Sequence, residues 1–153
     1  MTSNEPAPSV TQIGMTFDCA DAPALARFWA LALGYVEAPP PEGWDTWAAF
    51  LTDQGVPEDE WGDGAAIRDP TGMRPTISFL NVPEPKRAKN RLHLDLKVSG
   101  GRHVDAHQRA KRIEAKVAEL VSAGAVVQSR DTLGDRLDHV VMFDPEGNEF
   151  CVV

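Results

Sequence analysis

The sequence is poor in positive charge. Its 153 residues carry 15 lysines and arginines against 23 aspartates and glutamates, which gives a formal net charge of -8. A nucleic-acid-binding surface needs a basic stripe to neutralise phosphates, so this balance argues against nucleic acid as a partner. Long apolar runs are lacking too, and the N-terminus has neither the basic nor the apolar region of a signal peptide. We therefore expect no membrane partner and a cytoplasmic location.

Cysteine is scarce as well. The chain has two, Cys19 and Cys151, too few for a disulfide framework and too far apart for a Cys-x-x-Cys metal motif. A chain of this length can still bury a fair hydrophobic core as one domain. No neighbour in sequence would lower the pKa of the Cys151 thiol, so this residue is expected to behave as a small buried hydrophobe.

Residues 89–98 are the most regular stretch of the chain. Four aliphatic residues alternate here with four ionisable ones, so a β-strand would place the two kinds on opposite faces. The aliphatic face is expected to pack on the core. On the ionisable face, His93 and Asp95 would lie about 7 Å apart and could share a proton. The structural alternative is an ion pair of Asp95 with Arg91 or Lys97.

The two halves of the chain repeat the same order of elements. An Asp-Pro-x-Gly turn occurs at 69–72 and again at 144–147, each time between two apolar runs. Each half also has a helix that begins after an aspartate and ends at a glycine, within 21–34 and 105–124. Each half is therefore predicted as strand–helix–strand–strand–strand, with 82–89 as the linker. The predicted strands are 11–19, 35–37, 65–68, 76–81, 89–98, 125–128, 139–143 and 148–153.

Residues 42–64 interrupt the first half. The segment is acidic, it contains Trp44, Trp47 and Trp61, and its periodicity predicts one short helix at about 45–54. The tryptophans could clamp this insert onto the rest of the domain. They could instead form the aromatic wall of a lid over a pocket for an organic ligand. Both interpretations stay open at this point.

With these elements the chain resembles the vicinal-oxygen-chelate superfamily, and within it the glyoxalase/bleomycin-resistance proteins. The motifs that carry the resemblance are V-P-E-P-K, K-N-R-L-H-L-D-L and the final D-P-E-G-N-E-F-C-V. The resemblance implies an α+β fold in which two βαβββ modules, at 11–82 and 90–153, form curved mixed sheets around a central cleft. The whole glyoxalase-like domain would span 11–153, with the insert at 42–64. Residues 1–10, rich in serine and proline, are predicted as a disordered tail.

The resemblance also implies positions for a divalent metal, held by side chains from the first and last strands of both modules. On that pattern the four positions are Gly14, about Ser78, His93 and Cys151. His93 alone is a usual ligand at its position, and one such residue is too few for a catalytic metal site. The sequence therefore predicts no metal and no cofactor, with a divalent metal at His93 as the alternative.

Two functions of different class follow, because the superfamily includes lyases, isomerases, dioxygenases and drug-binding resistance proteins. The protein either sequesters a small organic metabolite or drug-like ligand in the cleft without a metal, or it is an enzyme that uses His93 for acid–base or metal chemistry. No complete catalytic constellation is visible, which favours sequestration. A homodimer is the expected assembly. The predicted catalytic residues are Asp18, His93 and Asp95, and the predicted ligand contacts are Trp44, Trp47, Arg91, His93, His139, Glu149 and Cys151.

Overall fold

The computed structural model describes residues 9–153, so most of the tail predicted at 1–10 lies outside the described residues. Over residues 9–153 the chain forms an α+β fold with eight strands in two sheets. The strands are β1 (Met15–Cys19), β2 (Val36–Glu37), β3 (Gly64–Arg68), β4 (Ile77–Asn81), β5 (Asp95–Leu96), β6 (Val126–Leu133), β7 (Arg136–Phe143) and β8 (Glu149–Val152). The helices are α1 (Ala22–Leu33), α2 (Trp47–Asp53) and α3 (Ala106–Ser122), with a 3-10 helix at Glu58–Asp63. Within this described range, no helix has the length and apolarity needed to cross a membrane.

The two sheets have the same strand order, β1-β4-β3-β2 in the first and β5-β8-β7-β6 in the second. In the first sheet β1 runs parallel to β4, and in the second sheet β5 runs parallel to β8. The remaining neighbours are antiparallel. The fold class predicted from the repeated elements and from the resemblance, two βαβββ modules with mixed sheets, is thus confirmed.

Both long helices begin at the residues that the sequence indicates. The Asp21 carboxylate accepts a hydrogen bond from the Ala24 N–H at 3.0 Å, and Asp105 accepts two in the same way at the start of α3. Gly34 ends α1 at a φ of 70°, a left-handed conformation that glycine adopts without steric cost. Gly124 follows α3 at a φ of 109°.

Trp29 of α1 packs against both sheets. Its ring centroid lies 5.3 Å from that of Phe17 on β1 and 5.1 Å from that of Phe150 on β8. The Trp29 indole N–H also donates to Asp144 Oδ2 at 3.1 Å, in the turn between β7 and β8. The buried residues consequently form one cluster that runs through both modules.

The stretch at 89–98 is less regular than predicted. Asp95 and Leu96 form β5, and the hydrogen bond from the Cys151 N–H to the Leu94 carbonyl extends the pairing by one residue. Leu96 is 6 % exposed, as expected of the aliphatic face, but Leu92 is 76 % exposed. The prediction that Leu92 packs on the core is therefore wrong. Leu92 precedes the first hydrogen bond of the ladder, so the alternation of a paired strand does not fix its direction.

The strands β6 and β7 form a longer hairpin than predicted. The sequence predicts a loop at 129–138, yet these residues pair up to a turn at Gly134, whose φ is 66°. The sequence signal is weak there because polar residues occupy both faces. Arg130, which is exposed on β6, pairs with Glu114 on α3 at 2.8 Å.

The first strand is shorter than predicted, since β1 begins at Met15 rather than at residue 11.

Candidate functional site

His93, Asp95 and Cys151 lie together on one face of the second sheet. Asp95 pairs with Cys151 in the parallel β5–β8 ladder, so both side chains point the same way, and His93 comes two residues earlier on that face. His93 Nδ1 lies 3.2 Å from Asp95 Oδ1, and one ligand atom from each of the three residues falls within 4.8 Å of the others. The imidazole and the carboxylate are half-exposed, whereas Cys151 is 9 % exposed. The group is therefore open to solvent on one side, with the thiol at its base.

The Cys151 thiol is protonated in this setting. Burial raises its pKa, and the Asp95 carboxylate raises it further through its charge and by accepting the thiol hydrogen. A nucleophilic cysteine needs the opposite, a pKa lowered by positive charge or a helix N-terminus. Cysteine, histidine and aspartate, the residue types of a cysteine protease triad, are thus present, but the positive charge that would lower the pKa of the cysteine is lacking.

Glu149 lies on β8 near the same three residues, but its carboxylate contacts the linker at 82–89 and the residue that follows it. It accepts a hydrogen bond from the Asn90 N–H at 2.9 Å and pairs with Lys86 Nζ at 3.2 Å. The Asn90 N–H and, to a smaller extent, Lys86 lower the pKa of Glu149. This predicted ligand contact is therefore an ionised carboxylate whose partners are residues of the chain itself.

His139 belongs to an ion network on the second sheet. Its Nδ1 lies 3.1 Å from Asp138 Oδ2, and its Nε2 lies 3.7 Å from Asp131 Oδ2. Asp138 also pairs with Arg102 at 3.1 Å, and these hydrogen bonds lower the pKa of Asp138 to about 2. The structure thus surrounds His139 with carboxylates.

Asp18 and Arg91 lie outside the group formed by His93, Asp95 and Cys151. Asp18 is exposed on β1 of the first sheet, and Arg91 is exposed at the end of the linker. Of the three predicted catalytic residues, the structure brings together His93 and Asp95. Cys151, a predicted ligand contact, joins them through its pairing with Asp95 in the β5–β8 ladder.

A small cavity of about 200 Å³ lies between the two modules, next to His93. Thr16 and Phe17 of β1 line one side, and His93 and Glu149 line the other. Drug-sized ligands occupy pockets of about 300–1,000 Å³. The cleft beside His93 is therefore smaller than the usual range for such a ligand.

A larger cavity of about 920 Å³ lies in the first module, beneath the insert. Trp47, Leu51 and Trp61 of the insert line it together with α1 and with residues of β3 and β4. Trp44 does not line this cavity and instead packs its ring against Phe50 at 5.1 Å. Three charged residues that the sequence interpretation did not select also line it: Arg27, Glu37 and Glu60.

Both tryptophans that line the cavity donate an indole hydrogen bond to backbone, and of the two bonds only that of Trp47 reaches outside the insert. The Trp47 indole N–H donates to the Ala38 carbonyl at 2.8 Å, and the Trp61 indole N–H donates to the Val56 carbonyl at 3.0 Å. Each ring therefore has its polar atom satisfied by backbone while its apolar surface faces the cavity. The acidic part of the insert, for which the sequence predicts no regular structure, forms the 3-10 helix.

Comparison with known proteins matches residues 14–153 to a family model described as "Glyoxalase-like domain". The chain belongs to this family. Its fold is that of the vicinal-oxygen-chelate superfamily, as predicted. No curated protein matches the chain.

Three solved structures show how far the likeness of this glyoxalase-like chain extends. Hypothetical protein SA1046 from S. aureus is 14% identical, with a TM-score of 0.55 and coverage of 95% of this chain and 97% of that one. A glyoxalase/bleomycin resistance protein/dioxygenase family enzyme from Burkholderia phytofirmans PsJN is also 14% identical, with a TM-score of 0.56 and coverage of 90% and 93%. A mutant of the fosfomycin resistance protein FosX from Listeria monocytogenes, complexed with Mn(II) and 1S,2S-dihydroxypropylphosphonic acid, is 8% identical, with a TM-score of 0.56 and coverage of 94% and 90%. Identities this low establish the fold alone.

The residues of this glyoxalase-like chain do not fit the four-donor metal site that the superfamily implies. Gly14 offers no side chain, and Ser78 lines the large cavity beneath the insert. The potential donors at His93, Asp95 and Cys151 all come from the second module. Manganese prefers oxygen and nitrogen ligands in octahedral geometry, whereas this group offers one imidazole, one carboxylate and one thiol.

Proposed function

We propose that this glyoxalase-like protein binds a small organic molecule in the cavity beneath the insert, and that binding does not use a metal. The observation that supports this proposal is the cavity itself. Its volume of about 920 Å³ suits a drug-sized ligand, and Trp47, Leu51 and Trp61 provide apolar walls. The one group of three potential metal ligands among residues 9–153, formed by His93, Asp95 and Cys151, contributes no residue to the lining of this cavity.

The charges around the cavity favour a neutral or cationic ligand. Glu37 and Glu60 outnumber the one lining guanidinium, that of Arg27, and the whole chain carries a net charge of -8. The faces of Trp47 and Trp61 would attract a cation through their π electrons. An anionic ligand would meet repulsion instead.

Variants of the tryptophans test the location of the ligand. Native mass spectrometry of the purified protein would first identify a co-purified ligand, or a screen of aromatic amines would supply one. Trp47→Ala and Trp61→Ala each remove one wall, and we expect each to weaken binding about tenfold or more, which corresponds to about 1.4 kcal/mol. Trp44→Ala is the matched control, since Trp44 does not line the cavity, and it should bind as the wild type does.

The same titrations can contradict the proposal. If His93→Gln abolishes binding while Trp47→Ala and Trp61→Ala leave it unchanged, the ligand occupies the cleft between the modules. Equal effects of Trp44→Ala and Trp47→Ala would show that the tryptophans act on the fold of the insert rather than on the ligand.

A second function, proton transfer by His93, is favoured by the 3.2 Å contact between His93 Nδ1 and Asp95 Oδ1. A carboxylate in this position orients the imidazole for proton transfer. The identified ligand would be incubated in large excess over the protein. Conversion of many equivalents, lost in His93→Gln, would establish an enzyme, whereas stoichiometric retention of the unchanged ligand supports sequestration.

A homodimer and a cytoplasmic location complete the proposal. Ile13 and Leu92 are 68% and 76% exposed, which suits residues covered by a second copy of the chain. Sedimentation should give the mass of a dimer, and Leu92→Ser should shift the mass towards that of the monomer if Leu92 lies at the interface.

The two thiols support the cytoplasmic location. Cys19 and Cys151 are free, and free thiols are typical of proteins in reducing compartments.

A further inference from the structure

A third cavity, of about 440 Å³, lies at the end of the first sheet, where the segment before β1 meets the turn between β3 and β4. It shares no lining residue with the cavity beneath the insert or with the small cleft beside His93. Its volume lies within the range of pockets that hold drug-sized ligands. A molecule bound beneath the insert therefore leaves this cavity free.

The charged residues that line this cavity are two arginines and one aspartate. Arg68 makes no ion pair within residues 9–153, whereas Arg74 pairs with Asp69 at 3.3 Å. The buried Asp69 carboxylate also accepts hydrogen bonds from the Thr71 N–H and hydroxyl, so it is occupied by its own turn. The lining therefore carries one excess positive charge, in a chain whose net charge is -8.

The backbone that carries the two arginines is held in place. Arg68 is the last residue of β3 and belongs to the ladder with β2. In the following turn, the Arg74 N–H donates to Asp69 at 3.1 Å, and the Tyr35 hydroxyl donates to the Pro75 carbonyl at 3.1 Å. A binding site that is ordered before the ligand arrives loses less entropy on binding.

Apolar surface lies next to the guanidinium groups. Met73 and Pro75 line the same cavity, and Met73 is 86% exposed. A ligand that covered Met73 would remove apolar surface from water, which favours binding. The cavity thus combines a positive charge with an apolar wall, a combination that suits an anion attached to an apolar body.

We propose that this cavity binds a small organic carboxylate, whose charged group contacts Arg68 and Arg74 and whose apolar body packs on Met73 and Pro75. A planar carboxylate accepts two parallel hydrogen bonds from one guanidinium. Arg74 directs one nitrogen, Nη1, at Asp69, and its other N–H groups can reach the ligand. The single negative charge of the ligand balances the excess positive charge of the lining. The proposal does not depend on what binds beneath the insert.

Isothermal titration of the full chain with naphthylacetate and with its neutral amide, naphthylacetamide, tests the site. We expect one equivalent of naphthylacetate to bind, and the amide to bind at least about tenfold more weakly, because it lacks the charged hydrogen-bond acceptor. Added sodium chloride should weaken the binding of naphthylacetate, since salt screens exposed charges.

Variants of Arg68 test the location of the carboxylate. Arg68→Gln should weaken the binding of naphthylacetate at least about tenfold, since a hydrogen bond to a charged group is lost. Arg68→Lys keeps the charge without the planar fork, so it should weaken binding less. Arg136→Gln is the matched control, because Arg136 is also exposed but does not line the cavity, and it should bind as the wild type does.

Other outcomes would overturn the assignment. These are no binding of naphthylacetate by the wild-type protein, equal binding of the amide, or unchanged binding in Arg68→Gln. Arg68 is exposed, so its variants should fold, which circular dichroism checks. Trp47→Ala should bind naphthylacetate normally, which separates a failure of this site from a failure of the cavity beneath the insert. Loss of binding in Trp47→Ala would instead place the carboxylate beneath the insert.

Discussion

Successive residues between Leu92 and Leu96 have contrasting surroundings. Leu92 is 76% exposed, the His93 side chain is half-exposed, and Leu96 is 6% exposed in the core. Leu96 belongs to the buried cluster that also contains residues of α3, whereas His93 faces the opposite side of the sheet. Substitutions a few residues apart should therefore affect either the fold or the site.

Leu96→Ala should destabilise the protein by about 2–5 kcal/mol, because it leaves a cavity in a close-packed core. In the single chain, Leu92→Ala should change the free energy of unfolding by less than about 0.5 kcal/mol, since the Leu92 side chain meets solvent there. Urea denaturation followed by circular dichroism measures both. Equal losses in the two variants would mean that Leu92 is covered in solution, as it would be in a dimer.

At the scale of elements, the repeated Asp-Pro-x-Gly turns owe their shape to buried aspartates as much as to proline and glycine. Asp69 is 4% exposed and Asp144 is 2% exposed. Asp69 accepts hydrogen bonds from the Thr71 hydroxyl at 2.7 Å and from the Thr71 N–H at 2.9 Å. Each carboxylate thus satisfies the donors of its own turn.

Asp69 should make the first module sensitive to acid. Hydrogen bonds from Thr71, aided by Arg74, lower the pKa of Asp69 to about 2 from an ordinary value of 3.8. Since the folded state has the lower pKa, this stabilisation is present above about pH 4 and is lost as the pH falls towards about 2. Urea midpoints measured across that range should fall less steeply in Asp69→Asn than in the wild type.

Thr71→Val serves as the control for this pH dependence. It removes the hydroxyl donor but keeps the Thr71 N–H, so its slope should lie between those of the wild type and Asp69→Asn. Identical slopes in all three proteins would assign the acid sensitivity to other carboxylates, among which Asp138 also has a pKa of about 2.

The insert contributes little to the buried core of the first module. Neither α2 nor the 3-10 helix, both within the described range, contains a fully buried residue. We expect faster hydrogen exchange at residues 55–64 than at residues 94–98, because exposed segments with few apolar contacts open more readily. Equal protection would identify the insert as a fixed clamp. Slower exchange on adding ligand would be expected of a lid.

At the scale of the whole molecule, the second Asp-Pro-x-Gly turn connects the two modules. Asp144 accepts the Trp29 indole N–H, and Glu146 accepts hydrogen bonds from the Ala20 and Asp21 N–H groups at 2.6 and 3.2 Å. These contacts place the turn against the start of α1. The first turn has Thr71 where the second has Glu146.

Trp29→Phe should weaken the connection between the modules. The change keeps an aromatic ring but removes the buried donor to Asp144. We expect a loss of about 1–3 kcal/mol in the free energy of unfolding, the usual cost of a missing hydrogen bond to a buried charged group. Thermal denaturation checks this, and Trp44→Phe, which changes a half-buried tryptophan, is the control that should change little. A wild-type melting temperature in Trp29→Phe would contradict the role given to this bond.

The sequence by itself determined the order of the predicted strands and long helices and the ends of the two long helices. Local chemistry is sufficient for these features: an aspartate caps each long helix, a left-handed glycine follows each one, and the Asp-Pro-x-Gly turn occurs twice. The same local signals fail in two places. In the polar hairpin of β6 and β7, strand pairing extends beyond the strands that the sequence pattern predicts, and at Leu92 the predicted pairing is absent.

Only the tertiary structure decided which side chains meet. Cys151 lies beside Asp95 because β8 pairs in parallel with β5, a register set by contacts between distant parts of the chain. The cavity beneath the insert likewise depends on how Trp47 and Trp61 pack towards α1 and β3. No spacing within one segment encodes such distances, because they follow from the packing of whole elements around a shared core.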